Sequence, residues 1–200
     1  MKRYSINEIF LSIQGEGANA GKTAVFVRFS GCNLHCPFCD TKHEARYLFT
    51  ADEIVDAITR LWKDQTIDPF VVLTGGEPTL QVDADLICKL HRSHAYIAIE
   101  TNGTLPVPCT IDFITVSPKA DFVKQTTWPT DADELKLVFD GTTNPNVWFT
   151  RIKAKHYFLQ PCDTGNEKKN REITEKLFNF VLLNPVWKIS LQMQKILNVR

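Results

Sequence analysis

The chain has 200 residues, 44% hydrophobic and 23% charged, which suits one globular domain with a sizeable core. Its 23 basic and 23 acidic residues cancel, so it has no built-in attraction to a polyanion, and no nucleic-acid partner is expected. No apolar run reaches the length of a membrane span, and Met1-Lys2-Arg3-Tyr4-Ser5 lacks the apolar core of a signal peptide; no membrane partner and a cytoplasmic location are therefore expected.

In chain order, residues 24–29 are rich in Val and Phe and predict a strand. Thr50 with Glu53 forms a capping box, after which Ile54, Val55, Ile58, Leu61 and Trp62 follow at helical spacing. Residues 70–73 predict the next strand and 82–92 the next helix. Further strands are predicted at 96–99, 111–116, 135–139 and 156–159. A late helix covers 170–183, with Ile173, Leu177, Phe180 and Val181 on one stripe, and 187–191 offers a last short strand. Apolar strands alternating with helices imply parallel pairing and an α/β class. Six main strands are too few for a complete eight-stranded barrel. The expected fold is an open, partial (β/α)6-type barrel, with a doubly wound sheet as the alternative.

Six cysteines in a reducing compartment predict metal ligands or buried thiols, not a disulfide frame. Cys32, Cys36 and Cys39 lie within eight residues in the loop after the first strong strand, whereas Cys88, Cys109 and Cys162 are scattered and read as small buried hydrophobes. Three thiolates can hold three irons of a 4Fe–4S cluster and leave the fourth open to a chelator; S-adenosylmethionine (SAM) offers an amine and a carboxylate. Phe38 is placed to cover such a cluster or to lie against adenine. The competing reading is structural zinc, which needs a fourth ligand from His35, Asp40 or His43.

Thr74-Gly75-Gly76-Glu77-Pro78 closes one strand, and its glycines permit close backbone approach to a ligand. Glu100-Thr101-Asn102-Gly103 ends the next, where Glu100 and Asn102 suit ribose hydroxyls. Ser117-Pro118-Lys119 and Gln160-Pro161 end two more. Each is an ordinary turn when taken alone. Polar groups at the carboxyl ends of five successive strands describe one active-site face. Gln14-Gly15-Glu16-Gly17 with Gly21-Lys22-Thr23 has the wrong spacing for a nucleotide-triphosphate loop and precedes a strand instead of following one. Arg28 lies within a strand and needs a partner there.

Together these residues resemble the 7-carboxy-7-deazaguanine synthase family, radical SAM enzymes of the queuosine and related deazapurine pathways. The resemblance covers most of the chain: Ile6-Asn7-Glu8, Gln14-Gly15-Glu16-Gly17, Arg28, the three cysteines, Cys39-Asp40-Thr41, Thr74 to Pro78, Glu100-Thr101, Ser117-Pro118-Lys119 and Gln160-Pro161. It implies one radical SAM domain over residues 1–200, with a substrate-binding N-terminal segment and a C-terminal tail. By resemblance, SAM sits on the cluster near Phe38, Cys39, Asp40, Gly75, Gly76, Glu77, Glu100, Asn102, Ser117, Pro118, Lys119 and Gln160. The substrate, 6-carboxy-5,6,7,8-tetrahydropterin, falls to Ile13, Gln14, Gly15, Glu16, Arg28, Thr74, Gln194 and Arg200. Mg²⁺ joins the Thr41 hydroxyl to that substrate, an oxygen ligand suited to a hard cation, and Arg28 suits a carboxylate. The implied reaction is ring contraction with loss of ammonia, opened by a 5′-deoxyadenosyl radical and closed by re-forming SAM. A homodimer and a reductant protein such as flavodoxin or ferredoxin are implied partners.

One departure stands out. The family's tail carries a Thr-His pair before a Lys; here Gln194 precedes Lys195, and Gln can hydrogen-bond but cannot carry charge. Two rivals share part of the pattern: a radical SAM activase acting on a partner protein, and a non-catalytic zinc-binding module.

Overall fold

The computed structural model describes residues 2–44, 46–64, 66–108, 110–119 and 128–199. The chain opens with β1 (Tyr4–Ile13), which pairs antiparallel with β2 (Thr23–Phe29) on one side and β3 (Tyr47–Phe49) on the other. From β2 onward every pairing is parallel: β4 (Phe70–Gly75), β5 (Tyr96–Thr101), β6 (Phe113–Val116), β7 (Asp131–Phe139), β8 (Lys153–Pro161) and β9 (Lys188–Ile189). The sheet order is β3-β1-β2-β4-β5-β6-β7-β8-β9, so its two edges remain open, as expected for a partial barrel. Helices α1 (Ala51–Leu61), α2 (Ala84–Arg92), α3 (Asn146–Phe149) and α4 (Glu167–Leu183) lie between strands, and α5 (Met193–Ile196) follows the last one. No helix among the described residues is long and apolar enough to cross a membrane.

The apolar pattern explains the layers. Residues 70–73 are buried one after another, as parallel strands covered on both faces require. Ile54 and Ile58 of α1 and Leu86 and Leu90 of α2 join Val25, Val27, Val71, Leu73, Ile97 and Ile99 in one core. A second core gathers Leu135, Leu137, Ile152 and Leu159 with Ile173 and Leu177 of α4 and with Trp187. Trp187 meets Tyr157 edge-on at 5.4 Å, and its indole N–H donates to Asn146 Oδ1 at 3.0 Å. The polar end of this large ring is thus satisfied in place.

Two strands escape sequence reading. In β1 the register with β2 shifts between Ile6 and Glu8, so Ile6 and Ile9 both pack toward the first core. Such a bulge breaks strict alternation and hides the strand from a period-of-two pattern. β3 is only three residues long, and two of the three are exposed. β4, β5 and β8 run beyond their apolar cores, because backbone pairing continues through the polar ends Thr74-Gly75, Glu100-Thr101 and Gln160-Pro161, whereas the strands expected at 111–116 and 187–191 shrink to Phe113–Val116 and Lys188–Ile189. The helix expected at 82–92 begins at Ala84 behind an Asp83 cap, and the helix expected at 170–183 begins earlier, at Glu167, behind Asn166.

Side chains at helix starts tie the layers together. Thr50 and Glu53 form the full reciprocal box at α1. Asp83 caps α2 by accepting from Leu86 N, and also accepts from Lys2 Nζ and Tyr4 Oη, each at 2.7 Å. Thr50→Ala is expected to lower stability by about 1 kcal/mol, read from urea unfolding with an unchanged m-value. Burial alone would raise the Asp83 carboxyl, but its bonds from Lys2, Tyr4 and Leu86 outweigh that and hold it below its ordinary value. Its stabilising contribution is therefore complete above the unfolded-state value near ~3.9 and fades as pH falls through the lowered native value. Asp83→Asn should flatten the acid limb of the stability–pH curve, measured by thermal melting.

Candidate active site

Parallel pairing places the carboxyl ends of β2, β4, β5, β6, β7 and β8 along one edge, and a cavity of about 840 Å³ opens there. Its wall carries Cys32, Cys36 and Cys39 together with Phe38, Asp40 and Thr41 from the loop after β2. Thr74, Gly75 and Gly76 come from β4, Glu100 and Asn102 from β5, and Ser117 and Lys119 from the end of β6. Gln160 of β8, Ile13 at the end of β1, Gln14, Gly15 and Glu16 after it, Arg28 of β2 and Gln194 of the tail also line it.

Two expected residues, Glu77 and Pro118, are placed otherwise. Glu77 is buried beneath the glycine turn, away from the cavity wall. Its carboxylate accepts from Thr79 N, Thr79 Oγ1, Thr101 Oγ1 and Asn102 N, which pins the end of β5 to the turn after β4. Pro118 lines a small neighbouring pocket with Phe38 and Trp148. Arg200 lies outside the described residues, as does Cys109.

The cysteine loop is held by backbone contact. Gly31 N donates to His43 O at 3.0 Å, Glu77 N to Gly31 O at 2.9 Å, and Gly76 N to Phe29 O at 3.1 Å. A Cβ at Gly76 would collide with the Gly31 carbonyl, and one at Gly75, at φ 126°, with the Phe29 backbone. The two glycines therefore serve a close approach of the chain to itself, which sets the cysteines beside the β4 turn. Asn102 reinforces this: its amide donates to Asn33 Oδ1 at 3.0 Å and accepts from Thr104.

Arg28 and Thr41 meet beside the cysteine loop. Glu8 lies directly across from Arg28 in the register, and Arg28 Nε donates to Glu8 Oε1 at 2.8 Å. Arg28 Nη1 donates to Thr41 Oγ1 at 3.4 Å, and the guanidinium lies 5.8 Å from the Phe10 ring centre. Gln14 Nε2 donates to Glu100 Oε1 at 2.8 Å, while Thr74 Oγ1 donates to Glu100 Oε2 at 3.3 Å. Glu100, expected among the cofactor ligands, thus stands with side chains expected to hold substrate.

A profile of the radical SAM superfamily matches residues 26–118. The 7-carboxy-7-deazaguanine synthase of Bacteroides thetaiotaomicron is 45% identical over 195 residues, covering 98% of each chain. That of Caulobacter vibrioides is 40% identical over 214 residues, covering 98% of this chain and 99% of its own. The chain belongs to the 7-carboxy-7-deazaguanine synthase family. The crystal structure of QueE from Escherichia coli shares the fold, with a TM-score of 0.72 at 24% identity over 95% of this chain and 94% of that one.

As a radical SAM family member the chain uses a 4Fe–4S cluster and SAM. The donor set fits. The three sulfurs share one loop and feel one another's charge. Burial pushes the Cys32 and Cys36 thiols up, so metal binding has to displace their protons. Lys119 closes this side: its Nζ donates to Ser117 O at 2.7 Å, and burial, then the charge of Lys136, lowers it to about 8.

Sequence reasoning missed Lys136, Glu134 and Gln192. Lys136 and Gln192 stand on the cavity wall. Glu134, Lys136 and Val138 alternate along β7 and share a face, so a charged pair inside an apolar strand was the available signal. Gln192 had none, because only the folded tail brings it back. Met193 N donates to Gly15 O at 3.1 Å, Gln192 Nε2 to Glu16 Oε1 at 2.9 Å and to Asp40 Oδ2 at 3.0 Å. Gln194 Nε2 donates to Glu16 Oε1 at 3.1 Å, its side chain fills the space above Gly15, and Lys195 pairs with Asp40 at 3.0 Å and Asp163 at 3.3 Å. The tail is therefore part of the wall. Lys195→Ala should speed hydrogen exchange at the Met193 amide by about tenfold, read by mass spectrometry; unchanged protection would show that Gly15 and the glutamines hold the tail unaided.

Proposed function

We propose that this protein converts 6-carboxy-5,6,7,8-tetrahydropterin to 7-carboxy-7-deazaguanine by ring contraction with loss of ammonia, using SAM catalytically. The observation that carries this reading is the convergence of the cysteine loop, the β4 turn, Arg28, Glu100 and Gln14 to Glu16 on one cavity. Similarity to 7-carboxy-7-deazaguanine synthases over nearly the whole chain supports it. When bound, the 4Fe–4S cluster and SAM supply the carbon radical that opens the reaction.

The chain's own residues bind, orient and shield. Cys32, Cys36 and Cys39 would hold the cluster, with Phe38 beside it. Gly75, Gly76, Asp40, Asn102, Ser117, Lys119 and Gln160 form the wall nearest SAM. Ile13, Gln14, Gly15, Glu16, Thr74, Glu100 and Gln194 form the wall for the pterin. Arg28 pairs with Glu8 through Nε and lines the cavity, where a substrate carboxylate suits its guanidinium. The cavity's depth and the folded tail keep water from a reactive intermediate.

Thr41 is the proposed Mg²⁺ ligand, with its hydroxyl on the wall next to Cys39. Arg28 Nη1 lies 3.4 Å from that hydroxyl, so a lone divalent cation would face a positive charge. The substrate carboxylate would screen it. Mg²⁺ is thus expected to bind tightly only with the pterin present, and equal affinity without pterin, by calorimetry, would count against Thr41.

A cytoplasmic location, an electron donor of the flavodoxin or ferredoxin kind and a homodimer belong to the same reading. Exposed Phe178 and Leu182, one turn apart on α4, with exposed Ile189 in β9, support a covered apolar face. The deciding experiment is anaerobic: reconstituted protein with pterin, SAM, Mg²⁺ and reductant. Product is expected by mass spectrometry with no net loss of SAM, and Cys36→Ala should lower turnover by about 10³-fold or more. Formation of 5′-deoxyadenosine in step with product would refute the catalytic use of SAM.

A further inference from the structure

Lys136 has no role in the reading above, yet it is one of the few buried lysines of the described chain. It projects from β7 into a ring of acids: Glu16 from the segment after β1, Glu100 from β5 and Glu134 from its own strand. Lys136 Nζ donates to Glu16 Oε2 at 2.6 Å and lies 3.6 Å from Glu100 Oε1. Lys119, after β6, is a second ammonium close to this group. The Lys136 side chain is 8% exposed and that of Glu16 14%. An isolated carboxyl so buried would take up a proton and turn from acceptor to donor.

Glu134 has a separate task. Its carboxylate accepts from Ala18 N at 2.6 Å, and a Cβ at Gly17, at φ 65°, would strike it. It therefore docks the Gln14 to Gly17 segment onto β7, and burial raises its carboxyl. Glu16 differs: it reaches the cavity, and its second oxygen takes only the two tail amides, Gln192 and Gln194. Those amides are neutral and both residues line the cavity, so an incoming donor can replace them. Burial would push the Glu16 carboxyl up, but Lys136 and the two glutamines outweigh it and hold it well below its ordinary range.

We propose that Lys136 is a positioning residue for substrate recognition: its ammonium fixes the Glu16 carboxylate, in charge and in direction, as an acceptor for the N–H edge of the pterin. This rests on the pterin reading of the cavity and adds to it a residue that acts through Glu16. It acts through one carboxylate oxygen and leaves the other free to exchange tail amides for ring N–H groups. Charge on the acceptor roughly doubles the strength of such a bond.

The test is a double-mutant cycle on pterin affinity, measured by fluorescence quenching of the pterin on cluster-loaded protein without reductant, with steady-state KM and kcat alongside. Lys136→Met and Glu16→Gln are each expected to weaken binding by about tenfold or more, whereas Lys136→Met in the Glu16→Gln background should cost no more than about threefold further. KM should rise more than kcat falls. Thermal melting and iron content report on folding. If Lys136→Met alone does not fold, the comparison of Glu16→Gln with the double variant still decides, since that pair removes both buried charges together. Affinity of Lys136→Met within about threefold of wild type, or losses that multiply through the cycle, would overturn the proposal. Wild-type protein that neither binds nor converts the pterin would instead overturn the functional reading beneath it.

Discussion

The structure depends on one backbone contact. The end of β4 runs so close to the end of β2 that Gly75 and Gly76 leave no room for a side chain, and hydrogen bonds from Gly76 and Glu77 close the gap. That contact fixes where the cysteine loop begins. It puts three thiols at the mouth of a cavity whose other walls come from successive parallel strands. Glu77 carries the same constraint one strand further, binding the β4 turn to Thr101 and Asn102. A residue that reads as a ligand in sequence thus supports the ligands' geometry, because four donors hold its buried carboxylate off the cavity wall.

Charge organises the rest of the cavity. Arg28 with Glu8, and Lys136 with Glu16 and Glu100, are two groups of ions out of bulk water, each with its partner supplied by a different strand or segment. Ions held this way are costly to bury singly and strongly directional once paired. They place acceptors and donors on the cavity wall that the thiols share. The neutral glutamines of the tail finish that wall, anchored by Lys195 to Asp40, next to the last cysteine. Cofactor loop, substrate wall and tail are thereby connected through a handful of side chains.

The sequence by itself determined the α/β class, the alternation that makes the sheet parallel, and the assignment of polar strand ends to one face. These follow from local pattern: apolar runs, a capping box, glycine turns and the cysteine spacing are all written within a few residues of one another. The family resemblance rested on the same short segments. Tertiary structure alone decided what pairs with what. It showed β1, whose bulge hides its alternation, and through that bulge set Glu8 opposite Arg28. It turned Glu77 and Asn102 inward and brought Gln192 and Gln194 back across nearly the whole chain to Glu16. It also gave Lys136 its ring of carboxylates. Most of these contacts join residues 20 to 178 positions apart, and their energy comes from burial and direction, which no local window of sequence contains.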